Sequence, residues 1–102
     1  MSLADLLALS HGLGLKVLVD DLGDWSNSQL RSEFDPSENA IRINARLVRT
    51  MDDEDANAFV ARAIAHEIYH YLEYSGCVRS DAKRSNSEAK AEQFADSLRA
   101  LA

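Results

Sequence analysis

The sequence predicts an α+β fold: a small, mostly antiparallel sheet packed on one long helix, with two further helices. Three observations carry that expectation. Alternating apolar residues mark short strands, with Leu15, Val17 and Val19 on one face of the first and Ile41 and Ile43 on one face of the last. A helical period runs from about residue 52 to 74. The 102 residues are 46% hydrophobic and 27% charged, an ordinary composition for one globular domain spanning residues 1–102.

The elements follow in order. Leu3, Leu6, Leu7 and Leu9 suit a short first helix stopped by Gly12 and Gly14. Residues 15–19 read as a strand, and the polar stretch 20–29, with Gly23 and Trp25, as a loop. Two strands are expected near residues 30–34 and 40–44. Between them Asp35-Pro36-Ser37-Glu38-Asn39 has the turn chemistry of a hairpin. The long helix opens with Asp52, Asp53, Glu54 and Asp55, where the helix dipole favours negative charge, and Gly76 is a natural stop. A polar loop over 77–86 leads to a last helix over about 87–101. Its apolar stripe is Ala91, Phe94, Ala95, Leu98 and Leu101.

Composition excludes several classes. Eleven Lys and Arg against seventeen Asp and Glu give a formal charge of −6, which disfavours nucleic acid as a direct partner. One Pro and four Gly exclude a linker or collagen-like chain. No apolar run approaches the roughly 18 residues of a membrane span. Cys77 is the sole cysteine, so no internal disulfide can form, and Met1-Ser2-Leu3-Ala4-Asp5 lacks the basic start of a secretory signal. The expected compartment is the cytoplasm.

The long helix contains His66-Glu67-Ile68-Tyr69-His70, an H-E-x-x-H pattern. Residues i and i+4 lie one turn apart on one helical face, so two imidazoles can point at one tetrahedral zinc. The intervening glutamate is then placed as general base toward a water activated by the metal. On a helical wheel Ala56, Phe59, Val60, Ala63, Ile64 and Tyr71 cluster on one side. Glu67 falls near the centre of that cluster, with His66 and His70 on its flank. Ala58, Ala61, Arg62, Ala65, Tyr69 and Glu73 occupy the opposite face, expected nearer solvent. Burying a carboxylate between imidazoles is costly unless a cation compensates. The competing reading makes the histidines core residues and Glu67 their ion-pair partner. The third histidine, His11, reads as an ordinary residue at a helix C-terminus.

Zinc needs a third protein ligand. Glu88 is the best acid, in register with the apolar side of the last helix. Glu92, one turn on, is a ligand or a supporting group, and Cys77 is the remaining alternative. Ser85-Asn86-Ser87-Glu88 also matches a capping box, in which Glu88 would bond only a backbone amide.

These residues carry a resemblance. Gly14-Leu15-Lys16-Val17, Phe34-Asp35-Pro36 through Ile41-Arg42-Ile43-Asn44, Ala65-His66-Glu67-Ile68-Tyr69-His70 and Glu88-Ala89-Lys90-Ala91-Glu92-Gln93-Phe94-Ala95 together resemble the ImmA/IrrE family of zinc metallopeptidases. The likeness covers about residues 13–98. It differs from the family's usual pattern at Tyr69, Tyr74, Lys90 and Glu92. The resemblance implies a minimal zincin-like domain with Glu88 as third ligand. It also implies a protein or peptide substrate, among which helix-turn-helix transcriptional repressors are the family's associates.

The expectation is therefore a zinc-dependent endopeptidase. His66, His70 and Glu88 hold zinc, and Glu67 is the catalytic base. Tyr74, one turn past His70, is the first candidate to stabilise the transition state, ahead of Tyr71 and Arg79; Tyr74 reads equally as a core tyrosine. The substrate is expected to extend along the strand at residues 41–44, adding to a sheet edge. The alternative is a metal-binding interaction module that inactivates a regulator without cutting it. A weaker reading is a degenerate fold that binds no metal.

Overall fold

The computed structural model describes residues 1–23 and 31–101. Most of the expected loop over 20–29, and Leu30 at the start of the second expected strand, lie outside the described residues. Among those residues the chain forms α1 (Leu3–Gly12), β1 (Lys16–Asp20), β2 (Ser32–Asp35), β3 (Ala40–Asn44), α2 (Ala45–Val48), α3 (Asp53–Tyr74) and α4 (Arg84–Ala100). The fold is mixed α+β.

Local chemistry sets the boundaries. Ser2 and Asp5 form a capping box at the start of α1. Asp52 caps α3, its carboxylate accepting the Asp55 N–H at 2.8 Å. Both helices end in Schellman turns. At α1 the N–H of Leu15 bonds Ser10 C=O and that of Gly14 bonds His11 C=O. At α3, Cys77 bonds Leu72 and Gly76 bonds Glu73 in the same way. Gly14 and Gly76 supply the required left-handed residue, at φ +79° and +81°. In the hairpin turn Asp35 accepts the Ser37 N–H at 2.9 Å, and Asn39 adopts φ 49°, a conformation its short side chain tolerates.

Two expectations about the sheet are corrected. It is mixed, not mostly antiparallel: β3 pairs antiparallel with β2 but parallel with β1, Val17 lying opposite Ile41 and Val19 opposite Ile43. The strand order β1-β3-β2 places β3 in the centre. The strand at 41–44 is thus no free edge for a substrate, because both its ladders are already used. Its burial agrees, with Ala40, Ile41, Ile43 and Asn44 inaccessible. The edge strands are β2 and β1, and Val19 on β1 is half exposed.

Ile41 and Ile43 meet Leu6, Leu15, Ile64 and Ile68 in the core, so one side of α3 packs on the sheet and α1. The opposite side packs on α4, its most extensive contact. Ala61 and Ala65 of α3 and Ala91 and Ala95 of α4 are buried, as expected where small side chains let two helices approach. Tyr69 is also buried, its ring 5.7 Å from that of Phe94. The face expected nearer solvent is therefore largely enclosed, because α3 is flanked on two sides.

Three smaller differences complete the fold. A short α2 follows β3, capped by Asn44, whose carbonyl oxygen accepts the Arg46 N–H at 3.1 Å. This makes three helices beside α3 rather than two. The last helix starts at Arg84, three residues early, with Lys83 at the N-cap and no side-chain cap. Residues 85–88 consequently lie inside the helix, and the capping box does not form.

On the outer face of the sheet Arg42 pairs with Asp35, with Glu33 at 3.7 Å and with Asp20 at 4.0 Å. The Arg42 guanidinium, helped by the Ser37 hydroxyl, pulls the Asp35 carboxyl down to about 2. A depressed folded-state pKa stabilises above the unfolded value, and that contribution is lost as pH falls from 3.8 towards about 2. Carboxyl-detected NMR titration should find Asp35 titrating near the low value. Arg42→Ala should return it towards the ordinary carboxylate range.

Candidate metal centre

His66 and His70 project from the C-terminal half of α3 towards α4. Their Nε2 atoms lie 3.2 Å apart. The Glu88 carboxylate spans both, with Oε2 3.0 Å from His66 Nε2 and Oε1 3.0 Å from His70 Nε2. Because Glu88 stands in the second turn of α4, the close α3–α4 packing carries it onto the motif. Neither ring points away from the other.

The triangle suits a small divalent cation. Tetrahedral ligands about 2.0–2.1 Å from zinc lie about 3.3 Å from one another. The observed separations, 3.2, 3.0 and 3.0 Å, are slightly shorter than that, so a modest spreading of the side chains would admit the ion. Two imidazoles and a carboxylate also match zinc's borderline preference.

The outer ring nitrogens are anchored. Glu92 Oε1 lies 2.7 Å from His66 Nδ1, and Arg62 holds the other Glu92 oxygen. Glu73 Oε1 lies 3.0 Å from His70 Nδ1 and accepts a hydrogen bond from Ser87 Oγ at 2.6 Å. A ring donating its Nδ1–H to a carboxylate presents a bare Nε2 lone pair to the site. The Arg62 hydrogen bond holds the Glu92 carboxyl below its usual range. Burial alone would raise the Glu73 carboxyl, but bonds from Ser87, His70 and the Asp81 backbone outweigh it and lower the group.

Glu67 is 4% exposed and points to the sheet side of the cluster. Ser32 Oγ of β2 donates a hydrogen bond to it at 2.5 Å. Burial pushes its carboxyl above the ordinary value, only partly offset by Ser32 and the two histidines. A carboxyl so shifted is a stronger base than a solvated one. Donor atoms of His66, Glu67 and His70 fall within 4.8 Å of one another, so Glu67 is within reach of a shared ion. Glu88 is nevertheless the better third ligand, because it meets both Nε2 atoms while Glu67 is engaged by Ser32.

His66, Glu67, His70 and Glu88, with Ser32 and Glu92, line a cavity of about 950 Å³ between β2, α3 and the start of α4. Other expected residues are not brought there. Tyr74 is 66% exposed, neither core nor cavity-lining, and rests edge-on against Phe34. Its hydroxyl is not presented to the site. Tyr71 also packs edge-on against Phe34, Arg79 is exposed and does not line the cavity, and Cys77 is exposed with its thiol 3.3 Å from Ser75 Oγ. His11 is exposed in the last turn of α1, as expected.

Sequence reasoning missed Ser32 and Glu73, which hold Glu67 and His70. Glu73 has a signal, its i+3 spacing from His70, but the helical wheel puts it on the face expected nearer solvent. Ser32 had none, because only the sheet topology sets it over Glu67.

Removing either anchor should loosen the rings without deleting a ligand. Glu73→Gln and Glu92→Gln are each expected to weaken zinc about 10- to 100-fold in a competitive chelator titration, with unchanged circular dichroism. Compared with protein-family models, curated proteins and solved structures, the chain gives no significant match.

Proposed function

We propose that the protein is a cytoplasmic zinc-dependent endopeptidase of the ImmA/IrrE kind, cutting a peptide bond in a protein substrate. The observation that carries this reading is the convergence of His66, His70 and Glu88, with buried Glu67 beside them, in one open cavity. A metal-binding site with a purely structural role has no need of a buried base next to its ligands.

His66 Nε2, His70 Nε2 and one Glu88 oxygen would hold the ion. Bound zinc supplies Lewis acidity to a peptide carbonyl and acidifies a water molecule. Glu67 accepts the proton that the attacking water gives up and passes it to the departing amine. Ser32 holds the Glu67 carboxylate in place meanwhile. Among the described residues β2, not β3, is the edge strand beside the cavity, and Ser32, Glu33 and Phe34 line it. An extended substrate would add to that edge through main-chain hydrogen bonds.

A helix-turn-helix transcriptional repressor is the proposed protein target. The test is co-expression with such repressors encoded beside it, followed by mass spectrometry for zinc-dependent fragments. Fragments that disappear on chelation support the proteolytic reading. Inactivation of a repressor that stays intact would favour the non-cutting module instead.

A further inference from the structure

We propose that the cavity selects acidic peptide segments, with Arg31 and Arg84 receiving Asp or Glu side chains near the bond to be cut. This rests on the peptidase reading of the site and names its substrate class.

The argument begins with which lining charges are already used. Glu33 is engaged by Arg42, and Asp81 by Lys90 at 3.0 Å. Glu92 is held by Arg62 and His66, and Glu88 faces both histidines. Glu67 is buried under Ser32. Arg62 is spent on Glu92 and Asp96. Among the described residues, Arg31 and Arg84 line the same cavity, are exposed, and have no ion-pair partner.

Their placement suits a bound segment. Arg31 leads directly into the edge strand β2, its carbonyl fixed by the Asn44 N–H at 2.9 Å. Arg84 opens α4, one turn before Glu88. β2 and α4 both pack on α3, so the two guanidiniums stand on different walls with the motif between them. A divalent ion there would be balanced by the Glu88 and Glu67 carboxylates, which leaves the two arginines as the local cations. The chain as a whole carries −6, so its general field repels acidic ligands. Selection for acidic residues must then come from these local cations, whose fork geometry fits carboxylates.

The experiment uses the zinc-loaded Glu67→Gln protein and three fluorescein-labelled dodecapeptides. They share one sequence except at four positions, which are all Glu, all Gln or all Lys. Fluorescence anisotropy is expected to show the Glu peptide binding about 10-fold or more tighter than the Gln peptide, with the Lys peptide weakest. That preference should shrink as salt rises. It should vanish in the Arg31→Gln/Arg84→Gln variant, whose changes are both at exposed positions. Equal binding of the Glu and Gln peptides, no binding of any, or a preference that survives the double variant would overturn the inference. Digestion of the same peptides by the zinc-loaded wild type separates the two readings. Cleavage without preference for Glu sinks the substrate class and leaves the peptidase standing. Preferential binding without cleavage does the reverse.

Discussion

Replacing Glu67 by Gln is expected to leave zinc binding in place and to lower the proposed hydrolysis about 10²- to 10⁴-fold or more. The amide matches the carboxylate in size and can still meet Ser32 Oγ, which lies 2.5 Å from the native oxygen. The surrounding core, with Ile64 and Ile68 inaccessible, need not move. What is lost is a lone pair basic enough to take a proton. In the zinc-free protein burial raises the native group, so there its replacement removes an unfavourable buried charge and Glu67→Gln should be no less stable than wild type. Zinc content by mass spectrometry, thermal unfolding and zinc-dependent fragment formation together check the prediction. Cleavage that persists at wild-type rate in Glu67→Gln would assign the chemistry elsewhere.

Zinc itself should have the largest effect on stability. An ion that binds only the folded chain stabilises by about 4 kcal/mol at 1,000 times its dissociation constant. In a domain near 100 residues that is a rise of very roughly 20 °C in Tm. The pH dependence has a defined sign. Without a cation beside it, Glu67 has a raised folded-state pKa. Its contribution to stability is present below the unfolded value of 4.5 and is lost as pH rises through the folded value. Zinc works in the opposite sense, because its ligands must be deprotonated to bind. The zinc-induced rise in Tm should therefore grow with pH above 4.5 and fade in acid. Calorimetric scans with zinc and with chelator across that range would show it. A zinc effect independent of pH would contradict ligation by these groups.

The site was largely legible because its logic is helical. His66 and His70 are fixed by a spacing of four, and Glu88 by its register with Ala91 and Ala95 on a helix that had to face α3. In the structure these three side chains converge, Glu88 lying 3.0 Å from both Nε2 atoms. What could not be read depends on long-range packing. The parallel pairing of β1 with β3 joins strands far apart in the sequence and is not set by alternation within either strand. A helical wheel assumes one buried face, so it sent Glu73 to solvent. With α3 wedged between sheet and α4, Glu73 instead meets His70 and Ser87. The capping-box pattern at 85–88 was locally plausible but lost to an earlier start at Arg84. Tyr74 has the spacing of a site residue, yet it does not line the cavity: its ring is exposed and rests edge-on against Phe34.

X-ray absorption at the zinc edge tests the central claim most directly. Protein purified without chelators and titrated to saturation should hold one zinc per chain. Its spectrum should show only nitrogen and oxygen neighbours at about 2.0–2.2 Å, with the outer-shell pattern of two imidazoles. Glu88→Ala should lower the occupancy at limiting zinc. A chain that takes up no zinc, or a sulfur neighbour at about 2.3 Å that disappears in Cys77→Ser, would contradict the assignment of His66, His70 and Glu88 as the metal centre.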